Sequence, residues 1–120
     1  MEISESAIHY LEIVTPDVEA ACLLYSTAFG WRFQPSVPEL GNAFVSTLPG
    51  GSLCGIRAPL HAEETPVVRT YIRVVSLELA TREVERLGAK ILLESMDLAG
   101  WGKISICEFG GIQQGLWQVE

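Results

Sequence analysis

Residues 10–30 read YLEIVTPDVEAACLLYSTAFG, and this stretch decides the fold. The alternation of its first residues predicts a strand, Asp17 is a suitable N-cap, and Gly30 provides a helix stop. Between them, apolar side chains recur at i, i+3, i+4, i+7 and i+11: Val18, Ala21, Cys22, Tyr25 and Phe29. The stretch therefore predicts a strand followed by a helix over residues 17–29.

The same pattern returns 59 positions later, where Ile72 matches Ile13. Residues 69–75 (RTYIRVV) predict a strand, Ser76 is a suitable N-cap, and an apolar stripe ends at Gly88. A second helix is therefore predicted over residues 76–88.

Three more strand-like stretches follow each helix, separated by turns rich in glycine and proline. They are residues 31–37, 42–48 and 52–58 in the first half, and residues 90–96, 103–108 and 112–119 in the second. The predicted fold class is α+β, with two βαβββ modules at residues 7–58 and 67–119 inside a single domain of residues 1–120.

The amino-acid composition indicates which partners and which cellular compartment to expect for this protein. The 120 residues carry a net charge of −7, which excludes a nucleic-acid partner because phosphates require a basic patch. No run of about 18 apolar residues occurs, so we expect no membrane partner, and the acidic start differs from a secretory signal. The cysteines at 22, 54 and 107 fit neither a disulfide framework nor a zinc pattern, which predicts buried thiols in a cytoplasmic protein.

Four stretches carry a family resemblance: LYSTAFGW (24–31), YIRV (71–74), GKISI (102–106) and GLWQ (115–118). On these residues the chain resembles the vicinal oxygen chelate (VOC) superfamily, which includes glyoxalase I, extradiol dioxygenases and bleomycin-resistance proteins. One motif departs, because EFGG (108–111) stands where the family usually has Asp-Pro-x-Gly. The resemblance implies that the modules form a cupped mixed β-sheet around a ligand, and that the protein is a homodimer.

The resemblance also implies where a metal would be held. Metal-dependent members place one ligand in the first and one in the fourth strand of each module, and these positions fall on Tyr10, Gly55, Arg69 and Gly115. Divalent metals prefer imidazole or carboxylate ligands, and none is present here. We therefore expect no metal and no cofactor. His9 is one residue away, on the opposite strand face, and His61 falls in the linker between modules.

Strand alternation predicts which side chains line the cup. Tyr10, Tyr71 and Trp117 supply aromatic faces, and Glu12, Arg57, Arg69 and Arg73 supply charge, a mixture that suits a small organic ligand. Glu12 could instead pair with Arg69 or Arg73 in a closed core. The residues predicted to pack beneath the helices are Leu11, Ile13, Ile72 and Leu116. Gly55 and Gly115 are predicted to open floor space in the cup, or to let a bent strand curl.

Three functions remain open. The leading interpretation is metal-independent binding of a small organic molecule, as in drug-sequestering members. The second is a VOC-type enzyme, similar to lactoylglutathione lyase, an isomerase or a dioxygenase, in which Glu12 is the candidate general base. The third is an accessory or interaction module whose cup is filled by its own side chains.

Overall fold

The computed structural model describes the backbone of residues 4–120 and the side chains from Ala7 onward. Two compact units are present. The first unit consists of residues 10–68, and the second unit of residues 69–120 together with the first strand as far as His9. Over residues 4–120 there are seven strands, two α-helices and one short 3-10 helix, so the fold class is α+β, as predicted.

The first unit holds three strands and one α-helix. Its elements are β1 (Ser4–Val14, in this unit from Tyr10), α1 (Val18–Phe29), a 3-10 helix (Pro38–Leu40), β2 (Phe44–Thr47) and β3 (Leu53–Arg57). The strand order is β2-β3-β1, with β2 antiparallel and β1 parallel to β3. In the parallel pair, Glu12 lies opposite Gly55.

The second unit follows the predicted βαβββ order. Its elements are β4 (Val67–Val74, in this unit from Arg69), α2 (Leu77–Arg86), β5 (Lys90–Leu98), β6 (Gly102–Phe109) and β7 (Ile112–Gln118). The strand order is β4-β7-β6-β5, and only the β4–β7 pairing is parallel among these neighbours. In that pair, Tyr71 lies opposite Gly115.

The strand predicted at residues 31–37 is wrong. This segment makes a single bridge, Val37 to Ala43, and Gln34 donates one backbone hydrogen bond to Val45. Pro35 has no amide hydrogen to continue a ladder, and Pro38 begins the 3-10 helix that the sequence interpretation missed. The eight predicted strands are therefore seven in the described chain.

The faces predicted to pack beneath the helices do so in both units. In the first unit, Ile13, Cys54 and Ile56 form a buried cluster against which Leu11 packs. In the second, Val74, Leu77, Ala80 and Leu116 form the equivalent cluster, with Ile72 against it. Each strand therefore presents one face to its helix and the other face to the predicted ligand side.

The residues EFGG (108–111), which stand where the VOC superfamily usually has Asp-Pro-x-Gly, form part of a tight hairpin. Phe109 of β6 pairs with Ile112 of β7, so only Gly110 and Gly111 connect the two strands. Both have positive φ, 55° and 78°, as a two-residue turn matched to strand twist requires.

The helix starts differ from one unit to the other. Ser76 caps α2 as predicted, accepting a hydrogen bond from the amide of Leu79 at 3.2 Å. Asp17 occupies the N-cap of α1, but its side chain accepts no capping hydrogen bond. The cap predicted for Asp17 is therefore absent.

The cysteines are free thiols, with Cys54 and Cys107 buried and Cys22 half-buried. Burial raises the pKa of Cys54 to about 12, with a contribution from neighbouring Cys22. Among the described residues, every helix is too short or too polar to cross a membrane.

Candidate functional site

A buried charge cluster occupies the strand face of the first unit opposite α1. Arg57 donates from Nε to Glu12 Oε2 at 2.9 Å. Its two terminal nitrogens donate to both carboxylate oxygens of Glu64, at 2.9 and 2.7 Å. Glu12 and Arg57 are 9% and 6% exposed. Arg57 is therefore a partner of Glu12, and the pairing of Glu12 with Arg69 or Arg73 stays a prediction.

Glu64 completes this cluster, and the sequence interpretation missed it. The residue lies between β3 and β4 and also accepts a hydrogen bond from the amide of Leu60 at 2.8 Å. Hydrogen bonding from Arg57 lowers the pKa of Glu64 to about 2, against the opposing effect of its burial. Burial would lower the pKa of Arg57, but its hydrogen bonds to Glu64 and its interactions with Glu12 outweigh burial and raise it.

Glu12 is thus held as a structural carboxylate. One of its oxygens is bound by a guanidinium that stays protonated, and a general base must instead lie within reach of a substrate proton. The contact with Arg57 fixes the position of Glu12, and its catalytic role stays a prediction.

Tyr10 covers the glycine of β3. A Cβ atom built on Gly55 would overlap the Tyr10 hydroxyl and the ring carbon that carries it, and would lie 3.3 Å from the Ala43 Cβ. Tyr10 and Gly55 are both buried. Gly55 therefore makes room for the end of the Tyr10 ring.

Tyr71 covers the glycine of β7 in the same way. A Cβ atom on Gly115 would overlap the body of the Tyr71 ring, at the carbons nearest the backbone. The two residues lie opposite each other in the parallel β4–β7 pair, where cross-strand side chains are in closest contact. The floor space predicted at both glycines is therefore occupied by tyrosine rings.

Trp117 anchors an aromatic group in the second unit. Its ring meets Tyr71 edge-on at 5.5 Å and His9 edge-on at 5.0 Å between centroids. Its indole nitrogen donates to the carbonyl of Trp101 at 2.8 Å, which ties the ring to the loop before β6. His9 is half-buried on Trp117, whereas His61 is exposed near Glu63.

The two predicted arginines of β4 differ in burial. Arg69 is 7% exposed and donates to Gln113 Oε1 at 2.6 Å. Arg73 is half-buried. Within the second unit, the structure therefore brings together Arg69 with Gln113, and Tyr71 with Trp117 and His9. Gln113 is a polar partner of Arg69 that was not among the predicted site residues.

The positions at which metal-dependent VOC proteins hold their metal do not fit a metal here. In the first unit they are Tyr10 and Gly55, and the ring of one fills the space above the other. In the second unit they are Arg69, a permanent cation, and Gly115, which Tyr71 covers. Over the residues that the structure describes, no group of three or more His, Cys, Asp or Glu side chains is arranged to hold a metal ion.

Comparisons with known proteins agree on one fold. The family model described as bleomycin resistance protein-like N-terminal matches residues 8–47. The protein named "Putative glyoxylase CFP32", from Mycobacterium bovis, is 28% identical over 124 residues, which is 98% of this chain and 48% of the relative. The same-named protein of Mycobacterium tuberculosis matches equally. The chain spans about half the length of these curated relatives.

Solved structures of low sequence identity share the fold. Methylmalonyl-CoA epimerase from Mycobacterium tuberculosis superposes with a TM-score of 0.76 at 16% identity, over 96% of this chain and 89% of that one. Streptomyces coelicolor methylmalonyl-CoA epimerase, in complex with 2-nitronate-propionyl-CoA, gives 0.71 at 15% identity, over 94% of each chain. These structures therefore show that the chain has the same fold, and the match over residues 8–47 agrees with the predicted resemblance to the vicinal oxygen chelate superfamily.

Proposed function

We propose that this protein binds a small organic molecule without a metal. The aromatic faces provide contact area, and the charged side chains orient the polar groups of the ligand. The residues assigned to binding are Tyr10, Glu12, Arg57, Arg69, Tyr71, Arg73 and Trp117. We also propose that residues 1–120 act as one domain built of two modules, and that the protein works in the cytoplasm as a homodimer.

One observation carries the metal-independent part of this proposal. Each glycine at a family metal position is covered by a tyrosine ring from the neighbouring parallel strand. A carboxylate at Gly55 or Gly115 would have to displace a buried ring, so a ligand set cannot be restored by a single substitution.

Preorganisation supports binding over catalysis. Arg57 is fixed by Glu12 and Glu64, and Trp117 by the carbonyl of Trp101. Side chains already held in one geometry lose little entropy when a ligand arrives. Sequestering a ligand needs such surfaces and no acid–base chemistry.

Measuring the metal content of the purified protein tests whether ligand binding is independent of a metal. Elemental analysis of purified protein should find far less than one equivalent of zinc, nickel, manganese or iron. The melting temperature should not change with EDTA. Close to one metal per chain, lost on chelation together with a drop in melting temperature, would overturn the proposal.

Ligand binding needs its own test. We expect a compound panel of flat aromatic molecules and acyl-CoA thioesters to contain at least one that raises the melting temperature, because a ligand at about 100 times its Kd stabilises by about 2.7 kcal/mol. Trp117→Phe should weaken that ligand roughly tenfold by titration calorimetry. Trp31→Phe is the matched control, since Trp31 stacks on Tyr25 on the helix side of the first unit.

Burial favours a second candidate, an interaction module whose interior is filled by its own side chains. Tyr10, Tyr71 and Trp117 are only 3%, 2% and 1% exposed. If no compound in the panel binds and the fluorescence of Trp117 is unaffected by any of them, this candidate replaces the first.

The names of the relatives favour a third candidate, an enzyme. The matched curated relatives are named as glyoxylases, and solved neighbours of the same fold are methylmalonyl-CoA epimerases. We expect no turnover with methylglyoxal–glutathione or with methylmalonyl-CoA. Activity with either that disappears in Glu12→Gln, while the variant remains folded, would establish the enzyme instead.

A further inference from the structure

Helix α1 carries an apolar surface that the part of the chain described by the structure leaves exposed. None of its 12 residues is buried, although nine of them are apolar or aromatic. Leu23 is 67% and Leu24 56% exposed. They lie on the face of the helix opposite Ala21, Cys22 and Tyr25, which pack on the sheet. Large apolar side chains exposed side by side on a helix mark an interaction surface.

The residues of this outer face follow helical spacing. Ala20, Leu23, Leu24 and Thr27 recur at i, i+3, i+4 and i+7, and all four are exposed. Glu19 is the only charged residue within the helix. The chain as a whole carries a net charge of −7, so two copies repel each other over most of their surfaces and least at this face.

We propose that α1 pairs with α1 of a second copy, antiparallel, about a two-fold axis between Leu23 and Leu24. In a two-fold interface, if residue i contacts residue j, then j contacts i. This axis places Leu23 against the partner subunit's Leu24, and Ala20 against the partner subunit's Thr27. Large residues then meet at the centre and small residues at the ends, which lets the helices approach closely.

A groove lies beside the N-terminal end of the proposed interface. Residues 16–20 and Leu23 line a concavity of about 480 Å³ at the N-terminal end of α1. In the proposed pair this groove faces the C-terminal end of the partner's helix.

The other candidate surface for pairing is the free edge of β5 in the second unit. Two register irregularities interrupt this strand, between Ile91 and Leu93 and between Leu93 and Met96. Bulges of this kind blunt an edge strand against pairing with another chain. The helix face has no such interruption.

The proposed interface is modest in size. A helix of 12 residues is about 18 Å long, so this contact lies at the small end of the range for specific interfaces, below about 1,200 Å² in total. We therefore expect a dimer that dissociates in the micromolar range and is visible by sedimentation at higher protein concentrations. This inference deepens the proposed homodimer and is independent of ligand binding.

Charge substitutions test the pairing and its direction. Leu24→Glu and Leu23→Lys should each raise the dimer dissociation constant roughly tenfold or more, because a charge replaces a central apolar contact. The double variant L23K/L24E should recover much of the loss, since each lysine then faces the partner's glutamate. Leu87→Glu is the matched control: Leu87 is 69% exposed after α2, and its replacement should leave dimerisation unchanged.

Sedimentation equilibrium of the wild type and these four variants distinguishes the outcomes, with circular dichroism and melting temperature confirming that each variant is folded. A wild type that stays monomeric overturns both the homodimer and this interface. A dimer that tolerates both single charges overturns the interface alone. Loss in both single variants without recovery in the double variant overturns the antiparallel register.

Discussion

The two α-helices occupy equivalent places in their modules but are opposite in chemistry. Half of the ten residues of α2 are charged, and the helix buries Leu77, Ala80 and Thr81. Its outer face is closed by ion pairs, Arg82 with Glu78 and Arg86 with Glu83, both at 2.5 Å. Helix α1 has one charged residue in twelve and buries none completely. The repeat thus gives the two helices equivalent positions but different exposed faces. The exposed face of α2 is charged and suits contact with water, whereas the exposed face of α1 is apolar and, as we propose, contacts a partner.

The strand faces that point away from the helices share one feature between the two units and differ in another. Both units place a tyrosine over a glycine of the neighbouring parallel strand, and the described side chains of the first unit add a charged triad of Glu12, Arg57 and the half-buried Glu64. The shared feature explains why glycine occurs in the fourth strand of both modules. The difference predicts where each unit is most sensitive to substitution.

The largest effect is expected at the charged triad of the first unit. Arg57→Met would remove the guanidinium that binds both carboxylates, and breaking a buried pair in this way costs about 3–5 kcal/mol. Urea unfolding should report this loss of unfolding free energy. The triple variant with Glu12→Gln and Glu64→Gln should recover a large part of it; a cost below about 1 kcal/mol for Arg57→Met would contradict the arrangement.

The tyrosine–glycine pairs should differ in how they can be rescued. Gly55→Ala and Gly115→Ala should each lower the free energy of unfolding by about 1–3 kcal/mol or more, through overpacking. Tyr10→Phe should relieve part of the cost of Gly55→Ala, because the overlap involves the hydroxyl. Tyr71→Phe should not relieve Gly115→Ala, because that overlap involves the ring carbons.

Double-mutant cycles on the two pairs measure this contrast. Equal rescue in both units, or alanine variants as stable as wild type, would show that the rings do not lie over the glycines as described.

Acid should destabilise the first unit by protonating Glu64. Its folded-state pKa of about 2 lies below the usual value of 4.5, so the stabilisation is complete above about pH 5 and is lost as pH falls towards 2. A shift of this size corresponds to roughly 2–3 kcal/mol. Unfolding free energies measured across this window should fall less steeply in Glu64→Gln than in wild type. Parallel pH profiles for the two proteins would contradict the assignment.

The smallest effect compares the two helix starts. Ser76→Ala should cost about 1 kcal/mol, because the hydroxyl accepts the Leu79 amide hydrogen. Asp17→Ala should change stability by no more than about 0.5 kcal/mol, because the Asp17 side chain makes no capping hydrogen bond. Thermal unfolding of both variants measures the loss of stability at each position. An equal loss at the two positions would contradict the difference in capping.

The sequence by itself determined the elements and their faces. Helical spacing located α1 and α2 to within two residues at each end, and the period of two placed Leu11, Ile13, Ile72 and Leu116 on the helix side. These properties are local, since a side chain's face depends only on its own strand or helix. The strand prediction for residues 31–37 failed for an equally local reason, because Pro35 within the segment and Pro38 directly after it interrupt a ladder that the apolar pattern otherwise favours.

Only the tertiary structure decided which side chains meet. Arg57 was placed on the same face as Glu12 from the sequence, but so were Arg69 and Arg73, and periodicity contains no information on which strands are neighbours. The parallel β1–β3 pairing brings Arg57 to Glu12, and a loop residue, Glu64, closes the triad. The tyrosine that covers each glycine depends in the same way on strand order and register. A pattern along one chain segment fixes the direction of a side chain, whereas its partner is set by contacts between segments that are distant in sequence.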